Sequence, residues 1–329
     1  MPKIEPFVCA ISQYGFTFVN SSVTKSAARQ CRIKGQKERR NSVKNCFFGK
    51  YFKCENENSS IAFIPALHRS GGRESASLQI ISDGGSLSLS FDRLQRYSDG
   101  TLSLGGCRFS DSGITLCGTV PANCTGADGG EITLGGEVRF TNRQRLRGDI
   151  MGPFKYVPFM QCRHSVYSLR HRVDGELYLN NAAYSFSGGR GYTEGDRGCS
   201  FPDSYLWTHC STKDVSLMLS AATVPVAGFS FTGVIAAVLF EGRQYRLATY
   251  MGAKAEIDRD GAVFVRQGGL SLYARLMEKH SAPLMAPESG CMSRIIKESI
   301  VCKAYYRFED RGNTVFEFTS ERASFEFEY

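Results

Sequence analysis

Apolar and polar residues alternate along most of this chain in short runs, and Asp-Gly and Gly-Gly pairs punctuate them. In 131–140, Ile132, Leu134, Val138 and Phe140 share one face of an extended chain, the two-residue period of a half-buried strand. Comparable runs flank the glycine pairs in 78–91, 97–106, 171–186, 234–250 and 255–276. A Gly after Asp or Gly supplies the positive backbone dihedrals of a two-residue hairpin turn at no Cβ cost, so each pair predicts a turn. No stretch repeats apolar residues at three- and four-residue steps long enough for an amphipathic helix. The pattern predicts an all-β protein: two consecutive meanders, each closed into a barrel-like unit that removes exposed edges.

One run departs from alternation. Residues 215–240 carry no charge, and length alone would let them span a membrane. Pro225, Gly228 and Gly233 interrupt the run, and Glu241-Gly242 turns it into QYRLATY, which predicts two buried strands in a hairpin. Three segments follow: 1–45, a polar and basic appendage; 46–150, the first β-unit; and 151–329, the second. The joining stretch 151–160 holds Pro153 and Pro158, which bar it from a central strand, and three aromatic residues that suit a pocket wall.

Composition supports strands and tight turns, with 34 Gly, 23 Phe and 15 Tyr against 10 Pro. The formal charge of +8 invites a nucleic-acid partner. Most of it is local: Lys25, Arg29, Arg32, Lys34, Lys37, Arg39, Arg40 and Lys44 face one acid, Glu38. Such a run reads as a solvated arm, not a nucleic-acid surface, with peripheral membrane contact as a weaker role. The 12 cysteines form no C-x-x-C pair, and the N-terminus lacks the charged region and cleavage site of a signal peptide. Reduced thiols and a cytoplasmic location are therefore expected.

Four stretches, FFGKYFK (47–53), IMGPFKYVPFMQCRHSV (150–166), GYTEGDRGCSFPDSYLW (191–207) and the segment from GFSFTG to GRQYRLATY (228–250), together resemble the tocopherol cyclase family. The match runs from about residue 46 to the C-terminus, and the block G-Y-x-E-x-D-x-G-x-S-F-P is its most specific element. The resemblance implies a lipocalin-like double barrel that holds a prenylated quinol, isoprenoid or polyene. It also implies acid-initiated ring closure on that substrate, in which an acid protonates the chain's double bond and the phenol oxygen traps the cation. Arg197 and Lys50 stand where the plant-like pattern has Trp, so Trp207 is the single tryptophan left to stabilise a cation.

Glu194 and Asp196 lie one residue apart and point the same way if their segment is extended. Neighbouring carboxylates resist joint ionisation, which leaves one protonated as an acid. A turn in which Asp196 caps backbone amides and Glu194 pairs with Arg190 or Arg197 is the competing reading. His164 and His209 could orient a phenol or shuttle its proton, and His68 could contact substrate; structural donors are the alternative. Their spacing from Cys162, Cys199 and Cys210 does not suit zinc, so no metal and no cofactor is expected. Tyr51 and Lys53 share a strand face and could grip a polar head group, or form an edge strand with a snorkelling lysine. Phe154, Tyr156, Phe159, Phe201, Trp207, Phe229 and Phe231 are expected to line the cavity, with Ser200 of the motif block beside them. The expected function is a cyclase or isomerase of a polyene lipid; the alternative is a lipid carrier without chemistry.

Overall fold

The computed structural model describes residues 45–121, 130–157, 160–226 and 229–329. The basic run 25–44, and with it the role expected at a membrane surface, lies outside the described residues, as does Phe159.

Two antiparallel sheets follow one another along the chain. The first holds β1 (Cys46–Glu55), β2 (Ser60–Ser70), β3 (Arg73–Ser82), β4 (Gly85–Phe91), β5 (Gln95–Arg96), β6 (Leu102–Leu104), β7 (Cys107–Ser110), β8 (Gly113–Pro121), β9 (Glu131–Gln144), β10 (Cys162–Leu179) and β11 (Ala182–Gly198). The second holds β12 (Tyr205–Ser211), β13 (Val215–Val226), β14 (Phe229–Phe240), β15 (Arg243–Ala248), β16 (Lys254–Ile257), β17 (Ala262–Gln267), β18 (Leu270–Glu278), β19 (Ala282–Glu288), β20 (Cys291–Asp310) and β21 (Asn313–Glu328). Both are meanders whose first strand returns to pair with the last, β1 with β11 and β12 with β21. This is the all-β pair of meanders that the alternation predicts, and two curled sheets are consistent with the lipocalin-like double barrel that the resemblance implies. Sheet membership changes at 199–204 and not at residue 150, because β10 and β11 pair with β9 and β1.

Each sheet curls over its own apolar core. Phe52, Phe63, Phe109, Val138 and Leu177 fill the first, and Leu206, Leu219, Val238, Tyr306, Phe308 and Phe325 the second. A third cluster, including Tyr51, Tyr192, Trp207, Met218, Ile235 and Ile300, packs where the two sheets meet. That third layer explains residues 215–240. Leu217 and Leu219 face the second core while Met218 faces the first sheet, so β13 is apolar on both sides and folds with β14 as a hairpin. No described helix is long and apolar enough to cross a membrane.

Glu241-Gly242 turns the chain with positive φ at both residues, as expected. Gly135-Gly136 and Asp174-Gly175 do not: both lie inside long strands, β9 and β10. A Cβ at Gly136 would fall 2.2 Å from the Glu176 carbonyl, and one at Gly175 equally close to that of Glu137. These glycines let β9 and β10 approach closely, near a bulge between Val173 and Asp174 in the pairing of β10 with β11.

The proline-bearing stretch after β9 is pinned to the second sheet. Arg246 of β15 donates to the carbonyls of Arg147, Gly148 and Asp149, and the Tyr250 hydroxyl donates to that of Ile150. Residues Gly152–Tyr156 then form a 3-10 helix in which Phe154 packs edge-on against Tyr250. Gly152 has φ +51°, and a Cβ there would lie 2.5 Å from the Tyr250 ring. Gly152→Ala is therefore expected to cost about 1–3 kcal/mol, read as a lower urea midpoint at unchanged slope. An unchanged midpoint would show that this segment is not clamped.

Candidate active site

Because side chains alternate across a strand, the face of each sheet that turns away from its own core points at the other sheet. On the first sheet, Tyr51, Glu194 and Val166 are cross-strand neighbours on β1, β11 and β10, and Gly49, Asp196 and His164 form the adjacent row. On the second, Trp207, Glu326 and Glu298 form one row across β12, β21 and β20. Between these rows lies a cavity of about 770 Å³ whose walls are mostly apolar, with Phe47, Ile64, Phe201, Ile235 and Met292 among them. Val157 and Phe231, both partly exposed, mark its rim.

Hydrogen bonds stitch the floor across the two sheets. The Tyr51 hydroxyl donates to Glu298 Oε1 at 2.6 Å, and the Trp207 indole donates to Glu194 Oε2 at 3.1 Å. Tyr192 also donates to Glu194, and Tyr205 donates to Glu326 Oε2 at 2.5 Å. His164 stands between two carboxylates, with Nδ1 3.0 Å from Asp196 Oδ1 and Nε2 3.1 Å from Glu194 Oε2. Cys162 adds a thiol donor to Asp196 at 3.3 Å.

Burial and charge sort the protons. Burial opposes a charged His164, but Asp196 and Glu194 outweigh it and hold the imidazole well above its usual range, hence protonated. Burial lifts Glu298 to about 7; the Tyr51 hydrogen bond and the Lys53 ammonium pull it down, and Glu194 adds to the rise. Burial, then the neighbouring Glu298, pushes Glu326 well above the ordinary carboxyl range. The floor thus pairs proton-bearing carboxyls on one sheet with a carboxylate-clasped imidazolium on the other.

His164, Glu194 and Asp196 offer ligand atoms within 4.8 Å of one another, a spacing a divalent ion could bridge. Metal and proton would compete for the imidazole there, because a ligating nitrogen must give up the proton that these carboxyl groups favour.

Of the residues expected at the site, Glu194, Asp196, His164, Tyr51, His68, Phe154, Phe201 and Trp207 line the cavity. His68 is neutral there: burial drops it to about 4, and its Nε2 meets Ser77 Oγ at 2.8 Å. Four expected residues do not reach the cavity. His209 shares a strand face with Trp207 but lies deeper, stacked under Tyr192 at 4.0 Å and held neutral by burial. Lys53 is fully buried behind the floor, 2.6 Å from Glu55. Tyr156 points outward and is 76% exposed. The Ser200 hydroxyl accepts the Ser289 amide at 2.9 Å and fastens a loop. Phe231 reaches the rim; the Phe229 side chain is outside what the structure describes. Glu298 and Glu326 were not expected at all.

No family model matches the chain, and no curated protein matches it in sequence. Among solved structures, CghA is 12% identical to it, over 86% of this chain and 88% of that one, with a TM-score of 0.50. Kievitone hydratase from Nectria haematococca is 7% identical over 87% and 90% of the two chains, with a TM-score of 0.47. At such identities the likeness extends to the fold alone. The motif resemblance to tocopherol cyclases is supported at that level and no further.

Proposed function

We propose that this chain is an enzyme that cyclises or isomerises a lipophilic polyene or prenylated quinol by proton transfer, without a cofactor. The observation that carries the reading is a buried carboxyl, Glu298, holding its proton near neutral pH at the floor of an apolar cavity. Its O–H bond breaks as the proton moves to one carbon of a substrate double bond, leaving a cation on the other carbon. A hydroxyl oxygen of the same substrate closes the C–O bond, and its proton returns to the Glu298 carboxylate. Loss of a C–H proton to that carboxylate gives an isomerised alkene instead. Either way product and substrate are isomers and the enzyme ends as it began.

A carboxylic acid protonates an alkene usefully only where the new charge is stabilised as it forms. Glu194, Asp196 and the ring faces of Tyr51 and Trp207 supply that stabilisation in this reading. Glu194 and Asp196, which the sequence suggests as acids, become fixed acceptors around His164. Their positions in the cavity support an electrostatic role, with Glu298 as the donor.

Incubation with prenylated quinols and polyene alcohols in D2O tests the reading. An isomeric product carrying one carbon-bound deuterium is expected, since the proton on Glu298 exchanges with solvent. Ligand retained by the protein but recovered unchanged and unlabelled would instead identify a carrier.

A further inference from the structure

Carboxyl groups outnumber cations around the cavity. Glu194, Asp196, Glu298 and Glu326 line it, whereas among its described lining residues the cationic side chains are His164, clasped by two of those carboxylates, and Lys50. The Lys50 ammonium is already committed to the Gly100 carbonyl at 2.8 Å and to the Tyr167 ring. An anionic head group brought to the floor would find no free basic partner among the described lining residues.

One polar atom on that floor lacks a partner. Glu298 is fully buried, its Oε1 takes the Tyr51 hydroxyl, and its Oε2 has no hydrogen-bond partner among the described residues. In the proton-bearing acid of the reaction above that oxygen holds the O–H, which calls for an acceptor from outside the protein, and an amine supplies one by taking the proton. Aromatic faces stand beside it: Tyr51 and Trp207 meet edge to face at 5.7 Å, and Tyr205 lines the same cavity. Once its proton has passed to the amine, a carboxylate flanked by aromatic faces is the chemistry that holds an ammonium group.

We propose that the floor is a cation-binding site and that it takes a lipophilic amine, the ammonium seated on Glu298 Oε2 between Tyr51 and Trp207. The amine's chain then follows the apolar wall past Ile64 and Ile235 to Phe231 at the rim. Such a ligand is an unreactive imitation of the cation in the reaction above, and the proposal takes the proton on Glu298 from that reading. Its test reads binding alone, so either can fail without the other.

Displacement of the neutral dye Nile red from the full-length protein by dodecylamine, dodecanol and dodecanoate, each below its micellar concentration at pH 7, is the experiment. The amine is expected to bind about tenfold more tightly than the alcohol, and the carboxylate most weakly. In Glu298→Gln, checked for folding by circular dichroism, the amine's advantage falls to about twofold while the alcohol's affinity is kept. Glu326→Gln lowers that advantage by less, because Glu326 Oε2 already accepts from Tyr205. Equal affinities for amine and alcohol in the wild type, or an advantage untouched by both substitutions, would overturn the proposal.

Discussion

Glu298→Gln is expected to lower turnover about 100- to 10,000-fold while the protein folds and fills its cavity as before. Glutamine keeps the volume and still accepts the Tyr51 hydroxyl, but it has no proton to give. The pH profile carries the same signature. With Glu298 raised to about 7 in the free protein, wild-type kcat/KM falls about tenfold per unit at higher pH, as the carboxyl loses the proton it must deliver. The stability sign agrees. The folded state keeps a proton that the unfolded chain releases from about 4.5, so this contribution is present below that pH and lost as pH rises through about 7. Urea unfolding across that window should show a shallower pH slope in Glu298→Gln. Full activity in the Gln variant would remove Glu298 from the chemistry.

Lys53→Met is expected to cost about 3–5 kcal/mol of stability. Lys53 and Glu55 are both buried to within 1% of full enclosure, and their 2.6 Å ion pair is close but poorly aligned for a hydrogen bond. Removing the ammonium leaves Glu55, among the described residues, with only the more distant Arg190, 3.6 Å away, as its cation. Replacing both partners, Lys53→Met with Glu55→Gln, removes the stranded charge and should recover most of the loss. A single substitution costing under about 1 kcal/mol, or a double no better than the single, would contradict this account of the pair. The ammonium also lowers Glu298, so the alkaline limb of activity in Lys53→Met should move to higher pH.

The sequence discloses this fold well where its signals are local. Alternation marks the strands, Glu241-Gly242 and the break near Pro225 mark hairpins, and the run 215–240 resolves into two strands because a third apolar layer covers its second face. Glycine pairs are less informative, since the same Asp-Gly dipeptide serves a turn or a close strand crossing according to its partner, as Gly175 shows. The pairing of β1 with β11 joins residues far apart in the chain, and no local pattern marks it.

The same limit divides the site. Glu194, Asp196 and His164 are found because one short motif and its cross-strand neighbour hold all three. Glu326 hides in Ser-Phe-Glu-Phe-Glu, where alternation reads each Glu as the wet side of a strand. Phe325 does face the second core, but the side opposite it meets the first sheet, so Glu326 becomes cavity floor. Glu298 is concealed likewise, in a strand whose outer face has a sheet packed on it. His209 and Lys53 fail as cavity residues for a related reason: each shares a face with true lining residues but sits where the sheets have closed together.

The central claim is that Glu298 gives up its proton only near pH 7, far above the ordinary carboxyl range. An infrared difference spectrum at pH 6.5 between wild type and Glu298→Gln reads it directly, through the carbonyl stretch of an un-ionised carboxylic acid. Such a band should appear in the wild type and vanish in the variant. If the wild type instead shows an ionised carboxylate lost on substitution, with no neutral acid signal, the floor has no proton to deliver.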